Sequence, residues 1–107
     1  VAPERQRPAA GRRMLAEAQD VYSLGAILYL LLTGRTVDER QRLQPDERDP
    51  EPWPLDALRP ELRGDLCTVV HHALCADPER RCPSAGALAA DLRRWLRGEP
   101  VVAPRPK

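Results

Sequence analysis

The sequence predicts a mainly α-helical chain, on three observations. Fifteen leucines supply the packing material, there is no Phe, and the aromatic residues are only Tyr22, Tyr29, Trp53 and Trp95, a composition that leans toward helix. Three stretches carry apolar residues at helical spacing between capping and stop residues. Nowhere does apolar/polar alternation run long enough to predict a strand. At 107 residues the chain amounts to one small domain or part of one.

Residues 1 to 15 carry Pro3, Pro8 and Gly11 among arginines, and this punctuation predicts a loop. Asp20 then precedes VYSLGAILYLLLTG, apolar nearly all round. An Asp at the N-cap satisfies free backbone donors, and Gly34 provides a left-handed stop, so a first helix is predicted from Asp20 to Thr33. A helix apolar on every face needs protein on every face. Residues 35 to 63 hold Pro45, Pro50, Pro52, Pro54 and Pro60 among many charges, which predicts an exposed loop with room for one helical turn near Leu55 to Leu58.

Asp65 is placed as the cap of a second helix, whose stripe Leu66, Val69, Val70, Ala73 and Leu74 buries one face and which Asp77-Pro78 ends. Pro83-Ser84 opens a third, with Leu88, Leu92, Trp95 and Leu96 on one face, Arg93, Arg94 and Arg97 complementing the dipole of its last turn, and Gly98 stopping it. Residues 99 to 107 (EPVVAPRPK) read as a proline-punctuated linker or tail, leaving 1 to 98 as the domain portion.

Seventeen basic against sixteen acidic residues give a net charge of +1, which removes the electrostatic case for a nucleic-acid or anionic-membrane binder. Residues 21 to 32 form the longest apolar run and fall short of the roughly 20 residues a membrane span needs. Three cysteines, an odd count, with no secretory leader ahead of them argue for free thiols in a cytoplasmic setting. A chain that starts at Val1 without an initiator Met reads as a piece of a longer product.

No glycine-rich phosphate cradle with a following Lys is present, and Ser23, Ser84 and the two histidines have no triad spacing. Ser84 is accounted for as a helix cap. Cys67, His71 and Cys75 are residue types that zinc favours. Spaced i, i+4 and i+8 on one helix, however, the two thiols would stand about 12 Å apart along the axis, too far to converge on one ion. No catalytic residue, cofactor ligand or metal ligand is therefore assigned in this chain.

Three short stretches, taken in order and with their intervals, carry a family resemblance. Ala2-Pro3-Glu4 resembles the motif that closes the activation segment of protein kinases. Asp20-Val21-Tyr22-Ser23-Leu24-Gly25 resembles the start of the buried central helix of the kinase large lobe, and AILYLLLTGR continues as that helix does. Asp77-Pro78-Glu79-Arg80-Arg81 with Ser84-Ala85 is similar to the family's Asp-Pro-x-x-Arg turn, and DLRRWLRGEPV is similar to the last helix of bacterial serine/threonine kinases.

The resemblance implies the C-terminal part of the helical large lobe of the protein-kinase fold, an incomplete piece of a domain that is α+β as a whole. It implies a buried ion pair between Glu4 and Arg81, contact of Asp20 with the backbone of a catalytic loop upstream, and a close helix approach at Gly25. For the parent it implies transfer of the ATP γ-phosphate to Ser or Thr of protein substrates with Mg²⁺, by residues that all lie upstream of this chain. The segment itself is then an inactive scaffold that binds neither ATP nor metal, its partner being the upstream remainder of the domain, with any membrane anchor of the parent outside it. The alternative is a pseudokinase or a lobe-derived interaction module without chemistry. Two stretches depart from the family pattern: the Arg/Ala-rich segment before Asp20, and Thr36-Val37 with the charged loop after Arg35.

Overall fold

A computed structural model describes residues 2–48 and 51–105, with side chains from residue 16 onward. All regular structure among them is helical: α1 (Ala2–Thr33), α2 (Glu39–Leu43), α3 (Leu55–Leu58), a 3-10 turn (Pro60–Leu62), α4 (Asp65–Ala73) and α5 (Ala85–Leu96). No helix of the described residues is long and apolar enough to cross a membrane.

Helix α1 corrects the sequence expectation at its start, because residues 2 to 15 continue the helix instead of forming a loop. Strong helix formers run without a break from Arg12 to Ala18. Pro3 sits in the first turn, where its missing N–H has no helical partner to lose, and Pro8 is absorbed at the loss of one backbone bond. Asp20 therefore lies inside α1 and is not its N-cap. The other end is as expected: Gly34 takes a φ of 74°, and its N–H donates to the Leu30 carbonyl at 2.8 Å.

The apolar residues of α1 divide into two faces. Val21, Gly25 and Tyr29, at i, i+4 and i+8, are buried, and Leu28 and Leu32 pack beside them. On the other side Leu24, Ile27, Leu30 and Leu31 are 40%, 53%, 44% and 74% exposed. Only one side of this helix is thus covered within the described residues, although its sequence is suited to contact all round.

Helix α4 is the hub. Val69 and Ala73 join Val21, Cys82, Leu88 and Ala103 in one cluster. Leu66, Val70 and Leu74 join Tyr29 and Leu55 in the other. Its N-cap is Gly64, so Asp65 is a first-turn residue complementing the dipole and not the cap. The helix closes at Leu74, ahead of Asp77-Pro78, which instead form a separate turn with the Arg80 and Arg81 N–H groups on the Asp77 carbonyl.

In α5 the Ser84 hydroxyl accepts from the Ala87 N–H at 3.0 Å, which accounts for the helix start. Leu88 is buried, whereas Trp95 and Leu96 are 41% and 74% exposed. The expected four-residue apolar face therefore fades in the last turn, because the chain reverses at Gly98 (φ 70°) and packs back on the earlier turns. Two residues of the expected tail reach the core: Ala103 is buried in the first cluster and Val101 packs against it.

Between α1 and α4 the charged segment contains α2, which the sequence reading did not anticipate. Arg35–Glu39 at 3.2 Å and Arg42–Asp38 at 3.7 Å support it as exposed i,i+4 pairs, each of small value. Helix α3 forms where one turn was expected, with Leu55 fully buried.

Candidate functional site

Polar contacts concentrate where α1, α4 and the turn after α4 meet. The Arg81 guanidinium donates from Nε to the Cys75 carbonyl at 2.8 Å, from Nη1 to the Ala18 carbonyl at 2.8 Å, and from Nη2 to the Ala76 carbonyl at 3.3 Å. It also lies 5.1 Å above the Tyr22 ring, a favourable cation–π arrangement. One side chain thus pins α1 to the α4 terminus across 63 residues of sequence. A shallow cleft lined by Gln19, Tyr22, Ser23 and Arg81 opens beside it.

A second anchor holds the loop before α3. The Tyr29 hydroxyl donates to the Trp53 carbonyl at 2.7 Å, and the Leu55 N–H donates to His71 Nε2 at 3.0 Å. Tyr29 and His71 meet edge to face with ring centroids 6.4 Å apart, and the Arg35 guanidinium lies 5.5 Å over Trp53. Burial lowers the His71 pKa below its ordinary 6.5, against an upward pull from Asp56 and Glu51. It therefore favours the neutral ring, whose Nε2 accepts the Leu55 hydrogen bond. Burial likewise raises the Tyr29 pKa, with Arg35 opposing.

The third anchor is Asp91, buried at 4% exposure on α5. Its Oδ1 accepts from the Val102 N–H and from Arg94 Nη1, both at 2.8 Å, and its Oδ2 accepts from the Ala103 N–H at 2.9 Å. Burial opposes ionisation here, but the Val102 N–H, Arg94 and the Ala103 N–H outweigh it and hold the carboxyl below its usual range.

The residues singled out from sequence are distributed unevenly over these anchors. Gly25 is buried in the α1–α4 contact, where an added Cβ would stand 2.9 Å from Ala73 Cβ and 3.1 Å from Leu74 Cδ2. Arg81 holds the first anchor. Asp20 is exposed on α1, two residues beyond the Ala18 carbonyl that Arg81 binds. The side chains of Ala2, Pro3 and Glu4, and with them the Glu4–Arg81 pair, lie outside the described residues.

Cys67 and Cys82 have thiol pKa values raised chiefly by burial, and the lone pair of His71 is engaged by Leu55. Among the described residues no group of three or more His, Cys, Asp or Glu side chains gathers to hold a metal. Sequence reasoning missed His71 and Asp91 as anchors. The signal for Asp91 was present, because it falls three residues after Leu88 and beside Leu92, on the stripe that had to face inward.

No protein-family model matches the chain. It is 40% identical over 89 residues, 80% of its length, to the serine/threonine-protein kinase PknB of Mycobacterium tuberculosis. Over 115 aligned residues, 98% of its length, it is 34% identical to the serine/threonine-protein kinase PknD of Chlamydia caviae. A probable serine/threonine-protein kinase of Streptomyces coelicolor is 33% identical over 87 residues, 78% of the chain. The chain spans 14%, 11% and 13% of the lengths of these three relatives.

Proposed function

We infer, from a chain that is a segment of the helical lobe of a bacterial-type serine/threonine protein kinase, that it is the supporting part of an enzyme that moves the ATP γ-phosphate to Ser or Thr of other proteins. The observation that carries this is the two-faced α1. One face is packed against α4, while Leu24, Ile27, Leu30 and Leu31 form an apolar strip that the described residues leave uncovered. Such a strip on a kinase-related chain is suited to seat the part of the domain that brings ATP and Mg²⁺ together.

In this reading the chain contributes no catalytic residue, cofactor ligand or metal ligand of its own, and its work is positional. Arg81 has five N–H donors and spends three on carbonyls; for the Glu4 carboxylate to take the remaining two, the first turns of α1 must leave the helix, because along α1 Glu4 stands about 21 Å from Ala18 at 1.5 Å per residue. Asp20, exposed on α1, is free to accept backbone N–H groups of a catalytic loop supplied by the upstream remainder of the domain. Its protein substrates meet that remainder, and the unpaired thiols fit a cytoplasmic setting.

The test is incorporation of labelled phosphate from ATP into a generic Ser/Thr substrate by the whole protein and by residues 1–107 alone. Transfer that needs Mg²⁺ and occurs only with the whole protein supports the reading. A folded whole protein that neither binds nor hydrolyses ATP overturns it in favour of a kinase-derived interaction module without chemistry.

A further inference from the structure

Sequence after α5 alternates prolines with a short donor-bearing stretch: Pro100 and Pro104 lack an N–H and bracket Val101, Val102 and Ala103. Two of those three N–H groups converge on the single buried carboxylate of Asp91, at 2.8 and 2.9 Å. The prolines thereby limit the register, since a shift by two residues either way would bring a proline opposite the carboxylate. Arg94 neutralises the same carboxylate at 2.8 Å from one turn along α5. Apolar contact comes from Ala103, which is fully inserted, and from Val101 against the same cluster, while Val102 is 73% exposed.

Beneath this segment lies Cys82. Cys82 is 4% exposed and shares a cluster with Ala103, Leu88 and Ala73. A cleft lined by Cys82, Ala87, Asp91, Arg94 and Val102 marks the seam between the segment and the helices. The other members of that cluster, Val21, Val69, Ala73 and Leu88, come from α1, α4 and α5, and these three helices also contact one another directly.

We propose that residues 99–105 are a strap, latched by the Asp91 carboxylate, that opens and closes as a unit over the Cys82 side of the core. Closed, it completes the core and fixes the path by which the chain leaves α5. Open, it uncovers Cys82 while α1, α4 and α5 stay packed. Losing charge-assisted bonds to two backbone donors removes the polar part of what holds it shut and leaves the apolar contacts of Val101 and Ala103.

Site-resolved alkylation of Cys67, Cys75 and Cys82 in the whole protein, followed by peptide mass spectrometry, tests this. Two variants attack the latch from its two sides: Asp91→Asn removes the charge, and Val102→Pro removes a donor while leaving the helices untouched. In both, Cys82 should react about tenfold faster or more than in the parent sequence, with Cys67 and Cys75 changed less than about twofold and helicity retained. Unchanged Cys82 reactivity in Val102→Pro overturns the latch. A parallel rise at all three cysteines with loss of helicity in both variants overturns the strap as a separable unit.

Discussion

Gly25 and Ala73 stand at the closest approach of α1 and α4, where a methyl group on Gly25 would meet the Ala73 Cβ at 2.9 Å. Leu74 closes the remaining space at 3.1 Å, so the two helices would have to part to admit any side chain. Gly25→Ala should therefore cost about 1–3 kcal/mol of stability, despite alanine's better helix propensity. Chemical denaturation of the whole protein checks this, and an alanine variant as stable as the parent would show that the helices can separate freely.

Arg81 binds three carbonyls and covers Tyr22. Lysine cannot reproduce that fork, so Arg81→Lys should lose about 1.5–3 kcal/mol. Because these partners are carbonyls, raising the salt concentration to about 0.5 M should leave most of the loss in place. A loss that vanishes in salt would point instead to carboxylate pairing as the main contribution.

His71 makes stability depend on pH in one direction. Its pKa in the folded chain lies below the ordinary 6.5, so above that value both folded and unfolded chains hold a neutral ring. As pH falls below 6.5, the unfolded chain takes up the proton first, and stability declines until the folded ring also titrates and the Leu55 N–H loses its acceptor. His71→Gln keeps an acceptor without the titration. Denaturation midpoints between about pH 7.5 and about pH 5.5 should fall more steeply for the parent than for this variant, and equal slopes would remove His71 as the cause.

The sequence made the helices legible where local rules and burial agreed. The α4 stripe, the Ser84 cap and the Gly34 stop all lie where composition and spacing put them. The α1 start was not legible, because Pro3 and Pro8 suggest interruption while the alanines and arginines that follow favour helix, and the helix formers prevail. The cap expected at Asp20 was misplaced for the same reason. The anchors at His71 and Asp91 depend on which backbone N–H arrives from a distant loop or strap, and spacing along one helix carries no information about that. Arg81 was legible through its motif, but its contacts with Ala18, Cys75 and Ala76 were not.

The uncovered strip of α1 gives the most direct test of the supporting role. We predict that Ile27→Glu in the whole protein, by burying a charge at a 53% exposed position of this chain where the upstream part of the domain should sit, costs several kcal/mol and abolishes phosphate transfer from ATP. Thermal midpoint and labelled-phosphate transfer would be measured together. An Ile27→Glu protein that keeps both its midpoint and its transfer rate would show that this face stays in water, and would contradict the assignment of the chain as the seat of a kinase domain.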